Sequence, residues 1–204
     1  SFCYFRKEFY ATVAMLMNTK AALRIGLIGA GNIGQFWSHA IKATSNIALE
    51  VVMDKHIERA EKLALAHGAK STNTAKVVFN NSAVDAVIIA VPHRYLAPLS
   101  KAALLAGKHV LCEKPAGISS REVKNNIGLA QRKKRIYMIG FNHRFHPAYL
   151  EAKKIVDRGD IGKLMNIRAR YGFRGRPGYN KEWRFDKKIA GGGEFMDQGV
   201  HLVD

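Results

Sequence analysis

The sequence predicts an open, doubly wound α/β sheet followed by the start of a second, α+β unit. Three observations carry this. Short apolar runs alternate with amphipathic helical stretches between residues 23 and 140. A Gly-x-Gly-x-x-Gly segment joins the first such run to the first helix. Beyond Gly140 the pattern changes to period two. Alternating strands and helices read as a parallel sheet covered on both faces.

Residues 23–29 are mostly apolar, as a buried parallel strand should be, and residues 32–43 follow with helical spacing. Residues 47–54 form a second apolar run ending in an acid, and 56–67 form a helix stopped by Gly68. Residues 69–82 hold a short strand and a short helix. The β-branched run 84–91 is a strand, 95–106 a helix closed by Gly107, and 108–112 a further strand. Ser119, Ser120 and Glu122 suit the start of a helix over 119–134, and 136–140 is the last strand of this series. Next come a helix over 146–158 and an alternating segment, 163–173, that fits a strand with one covered face. An exposed loop over 174–190 follows, and Gly191–Gly193 open a final helix. The resulting division is an N-terminal extension (1–21, poorly ordered or foreign to the natural protein), a nucleotide-binding domain (22–142), and the beginning of a truncated substrate and oligomerisation domain (143–204).

Bulk composition excludes several classes. No apolar run reaches the roughly 18 residues of a membrane span. The two cysteines, Cys3 and Cys112, make no disulfide framework, which points to the cytoplasm. The net charge of +17 sits mainly between residues 121 and 190, where 19 Lys and Arg face 6 Asp and Glu. These charges are interleaved with strand and helix patterns, and no nucleic-acid motif accompanies them, so no nucleic-acid partner is expected.

Gly29, Gly31 and Gly34 have the strand–turn–helix setting that a dinucleotide loop requires. The first allows the turn, the second lets a pyrophosphate approach, and the third lets helix and strand pack closely. Asp54 follows Gly34 by 20 residues, at the end of the second strand. A carboxylate there accepts the adenosine ribose hydroxyls and disfavours a 2′-phosphate, which points to NAD. Arg59 leaves NADP open, and a capping role for Asp54 at the next helix is the alternative. Glu113 and Lys114 follow a strand at the ligand edge of the sheet, with Pro115 fixing the turn in a trans or cis bond. A Lys beside a cofactor can donate to a substrate hydroxyl. Asp197 and His201, four apart, share one face of a helix. His201 can exchange a proton as an alcohol becomes a ketone, with Asp197 orienting or charging it or positioning substrate hydroxyls. His109 reads as a packing residue within its strand.

Five motifs occur in order: GAGNIG at 29–34, VDAVIIAVP at 84–92, AGKHVLCEKP at 106–115, GFNHRFHP at 140–147 and GGGEFMDQGVH at 191–201. Together they resemble the Gfo/Idh/MocA family, named for glucose–fructose oxidoreductase and inositol dehydrogenase, over residues 22–204. The resemblance implies a Rossmann domain and a C-terminal domain with an open, mostly antiparallel sheet, which residues 163–173 would begin. By position it assigns Gly29, Gly31, Asn32, Ile33 and Gly34 to the pyrophosphate, and Asp54 to the ribose. Val91, Pro92 and His93 line the nicotinamide side. Glu113 and Lys114 touch the nicotinamide ribose and the substrate. Asp197 and His201 form the catalytic pair with Lys114, and Arg144, Trp183 and Arg184 border the substrate. Where the family commonly has a His after the fourth strand, this chain has Leu96. His93 and His143 stand where other residue types are usual, and read as polar residues at a cleft edge. The implied activity is hydride transfer between NAD and a secondary alcohol of a sugar, cyclitol or related polyol, without a metal, in a homo-oligomer (dimer or tetramer). The alternatives are an NAD-using glycosidase and a non-catalytic NAD(P) sensor.

Overall fold

The computed structural model describes residues 22–172 and 174–204. The expectation for residues 1–21 lies outside them. Six strands form one sheet: β1 (Leu23–Ile28), β2 (Ile47–Met53), β3 (Lys70–Thr72), β4 (Ala86–Ile89), β5 (His109–Cys112) and β6 (Tyr137–Ile139). Their spatial order is β3-β2-β1-β4-β5-β6, and every pair is parallel. The order reverses between β1 and β4, which opens a crevice at the carboxyl ends of the strands.

Five helices connect the strands: α1 (Asn32–Lys42), α2 (Ile57–Leu65), α3 (Ala75–Asn80), α4 (His93–Leu105) and α5 (Ser120–Lys133). Both faces of the sheet are covered. Trp37, Ile41, Ala60 and Leu63 from α1 and α2 pack on Ile25, Leu27, Val52 and Ile88. On the other face Val78, Leu96, Leu104 and Leu129 from α3, α4 and α5 pack on Ile28, Val87, Ile89 and Val110. Within β4, Ile88 serves one core while Val87 and Ile89 serve the other, so an unbroken apolar run is required there. Each such side chain contributes about 1.5–3 kcal/mol by leaving water. At α5 the Ser119 hydroxyl accepts from the Glu122 N–H (3.3 Å) and the Glu122 carboxylate accepts from the Ile118 N–H (3.1 Å), a variant of the expected cap.

Beyond β6 the chain is less covered. A 3₁₀ turn (Asn142–Phe145) leads into α6 (Pro147–Asp157), none of whose residues is buried. Residues 174–190 are not one loop: they hold 3₁₀ turns at Tyr179–Lys181 and Trp183–Phe185 and the short α7 (Lys187–Ala190). The final helical stretch contains a π-helical turn (Phe195–Gly199) before α8 (Val200–Val203).

The strand expected over 163–173 does not form among the described residues. Residues 164–172 pair with no other strand, and Met165 and Ile167 are 84 % and 77 % exposed. A strand is held by hydrogen bonds to a neighbour, so alternation alone cannot make one where no strand lies alongside.

Candidate active site

The glycine loop lies at the carboxyl end of β1. Gly29 has φ +100°, a conformation that disfavours a side chain, and a Cβ on it would run into the Ala90 carbonyl of the neighbouring strand. A Cβ on Gly34 would overlap the Gly29 carbonyl. A Cβ on Gly31 would meet no atom within 4 Å. Two glycines are therefore required by the fold, and the third keeps a space open in front of α1. The first N–H groups of α1, at Asn32 and Ile33, have no side-chain cap. N–H groups with no side-chain cap among the described residues, beside the space that Gly31 leaves open, fit a pyrophosphate.

Asp54 is buried and fixes this loop. Its Oδ2 accepts from the Ala30 N–H (2.8 Å) and its Oδ1 from the His56 N–H (3.0 Å), where α2 starts. The contact to His56 closes a turn ahead of α2 and is no helix cap, since α2 has no side-chain cap hydrogen bond. Each oxygen keeps one lone pair, enough to accept a ribose hydroxyl. Arg59 lies exposed on α2, with no ion pair among the described residues. Val91 and Pro92 follow β4, half-buried, and His93 opens α4, buried.

The Lys114–Pro115 peptide at the end of β5 is cis. Lys114 Nζ donates to the Asp197 carboxylate Oδ1 (2.7 Å) and to the Asp197 carbonyl. Arg184 Nε donates to Oδ2 (2.8 Å), and His93 Nε2 lies 3.4 Å from Oδ1. His93 is anchored through Nδ1, which donates to the Ala190 carbonyl (2.9 Å), and Trp183 meets its ring edge-on at 4.7 Å. Burial by itself would raise the Asp197 carboxyl. The adjacent His93 ring and the Lys114 and Arg184 cations overcome this and hold it far below the usual carboxylate range. A cavity of about 400 Å³, bordered by Arg184, Lys187, Glu194 and Asp197, adjoins the cluster.

His201 behaves differently from the expectation. Its ring stacks on His143 at 4.0 Å and 18°, with Phe141 and Tyr171 at 6.2 and 6.3 Å. Its Nδ1 is buried without a hydrogen-bond partner, so Asp197 does not orient it through a hydrogen bond to that atom. Both Asp197 oxygens are taken by cations, and the π-helical turn between the two residues breaks the simple four-residue spacing. Burial, then the neighbouring His143 and Lys114, push the His201 imidazole down to about 4.

Glu113 Oε1 accepts from the Trp37 indole N–H (2.9 Å), and burial pushes its carboxyl up. Arg144 is held by the Asp204 carboxylate in a forked pair (Nε to oxygens at 2.8 and 2.9 Å), while Trp183 and Arg184 join the Asp197 cluster. His109 packs as expected, its Nδ1 accepting from the Ile136 N–H (3.1 Å). The Asp197 contact of His93, the stacking of His143 on His201 and the tilted approach of Tyr171 have no spacing signal, because each pairs residues far apart in the chain.

A parallel sheet with a glycine cradle at its switch point, and a lysine–carboxylate cluster on the same edge, define a dinucleotide-binding oxidoreductase fold. The family model for the oxidoreductase family with an NAD-binding Rossmann fold matches residues 23–141, and the Gfo/Idh/MocA C-terminal domain model matches 149–204. Levoglucosan dehydrogenase of Pseudarthrobacter phenanthrenivorans is 32 % identical over 193 residues, 89 % of this chain and 50 % of that protein. Inositol 2-dehydrogenase of Rhizobium meliloti is 32 % identical over 142 residues, 70 % of this chain and 43 % of that protein. A solved levoglucosan dehydrogenase in complex with NADH and L-sorbose superposes with a TM-score of 0.83 at 31 % identity, covering 89 % of this chain and 51 % of that one. The chain belongs to the Gfo/Idh/MocA oxidoreductase family, and it spans about half the length of these relatives.

Proposed function

We propose that the protein is an NAD-dependent dehydrogenase acting on a secondary alcohol of a sugar, cyclitol or related polyol. The observation that carries this is the Lys114–Asp197 pair, held at 2.7 Å on the edge of the sheet where the glycine cradle opens. Relatives named levoglucosan dehydrogenase and inositol 2-dehydrogenase support the substrate class.

Gly29, Gly31, Asn32, Ile33 and Gly34 hold the pyrophosphate, Asp54 the adenosine ribose, and Val91, Pro92, His93 and Glu113 flank the nicotinamide end. When bound, NAD supplies the hydride acceptor. Lys114 carries three N–H donors. Two are engaged by Asp197, and the third is available to the substrate oxygen. Asp197 fixes Lys114 in that direction, and Arg184 together with Lys114 keeps Asp197 ionised. His201, a neutral imidazole near pH 7, accepts the hydroxyl proton. Arg144, Trp183 and Arg184 border the substrate. We assign residues 22–142 to the cofactor and 143–204 to the substrate side. The buried, unbridged Cys112 suits the reducing cytoplasm, and the exposed Met165 and Ile167 suit a dimer or tetramer.

The test is NADH absorbance with a polyol panel, run with NAD and with NADP because of Arg59. Lys114→Ala is expected to lower kcat by about 100-fold or more while NAD binding by calorimetry is unchanged. Glycoside cleavage without net NADH, or full turnover by Lys114→Ala, overturns the proposal.

A further inference from the structure

Two imidazoles from distant parts of the chain lie face to face beside the lysine. His143, in the 3₁₀ turn Asn142–Phe145, stacks on His201 of α8 with centroids 4.0 Å apart and planes 18° apart. Tyr149 of α6 lies nearly parallel to His143 (6.0 Å, 15°), and Tyr171 tilts toward both histidines. His143 thus has three aromatic neighbours among the described residues, His201, Tyr149 and Tyr171. We propose that His143 is a positioning residue for His201, fixing its ring by stacking and limiting the stacked pair to a single proton. This rests on the role given to His201 above.

The electrostatics follow from the distance. Two like charges about 4 Å apart repel strongly wherever water is partly excluded, so the second proton is disfavoured once the first is bound. The groups facing the pair do not cancel this. Lys114, at the end of β5, and His146, before α6, add positive charge; Asp204 and Asp197 add negative charge from the last helical stretch. Arg144 pairs with Asp204, and Lys114 and Arg184 pair with Asp197, which blunts both carboxylates. Burial and these charges push both imidazoles down. As pH falls, the stacked pair takes one proton and resists the second, and His201, held at about 4, stays a free base over the neutral range.

The test separates ring from charge. His143→Phe keeps a flat ring over His201 and removes the proton site; His143→Ala removes both. The imidazole of His201 is followed by NMR titration of histidine-labelled protein, a readout independent of turnover. In His143→Phe the His201 titration is expected to move up by about one pH unit, a tenfold change in proton affinity. In His143→Ala the same upward move is expected, together with a lower kcat at unchanged KM, as the ring loses its support. A His201 titration unmoved in both variants overturns the single-proton claim; an unchanged kcat in His143→Ala overturns the positioning claim. If His201→Gln leaves turnover intact while the NMR shift is seen, it is the proposed role of His201 that fails.

Discussion

Gly31 and Gly34 sit three residues apart and answer to different constraints. A Cβ at 34 would overlap backbone, whereas one at 31 would point into open space. Gly34→Ala is therefore expected to destabilise the fold by about 2 kcal/mol or more, read as a lower denaturation midpoint. Gly31→Ala is expected to leave that midpoint unchanged and weaken NAD binding by at least about tenfold, roughly 1.4 kcal/mol, in calorimetry. Loss of stability in the Gly31 variant would mean that the space is structural. The three glycines and Asp54 were legible from spacing because a turn, a close approach and a strand end are local demands. The His93–Asp197 contact was not, since nothing local to either residue requires the other.

At the scale of elements, α1 and the end of β5 are tied by a part-buried hydrogen bond from Trp37 Nε1 to Glu113 Oε1. Removing the donor leaves a buried carboxyl without that partner. Trp37→Phe is expected to cost about 1–3 kcal/mol in urea denaturation, and pairing it with Glu113→Leu should recover part of the loss. Most strands and helices of the sheet were legible because they carry an apolar run or face with a matching period, whereas the short polar β3 (Lys70–Thr72) carries none. The segment 164–172 has the period of a strand and no strand beside it, and so is extended without being sheet. The π-helical turn at Phe195–Gly199 was equally hidden, and with it the four-residue spacing of Asp197 and His201 no longer marks one α-helical face.

For the molecule as a whole, stability should depend on pH through the same site. His201 is held at about 4 in the folded chain against 6.5 when unperturbed. Between those values the unfolded chain binds the proton that the folded chain refuses, so stability falls as pH drops from 6.5 to 4. Asp197 adds to this: its stabilisation is full above the ordinary carboxylate range and is lost only as pH falls through its lowered folded value. Glu113, pushed up by burial, acts in the opposite sense just above pH 4.5. Denaturant unfolding at pH 7 and pH 4.5 should show a loss of about 1–3 kcal/mol, and His201→Phe should flatten the slope between pH 6.5 and 4. An equal slope in that variant would locate the dependence elsewhere. The +17 net charge has no comparable role in the fold, since most ion pairs beyond the Asp197 cluster are solvent-exposed.

The sequence by itself determined the sheet, its order of strands and helices, the glycine cradle and the identity of the lysine at its edge. Each depends on periodicity or on a backbone demand that acts over a few residues. Only the tertiary structure decided that Asp197 serves Lys114 rather than His201, and that His143 lies flat on His201. Those are meetings of residues brought together by the packing of β5, α4 and the last helical stretch, and their charges and rings interact through space, not along the chain.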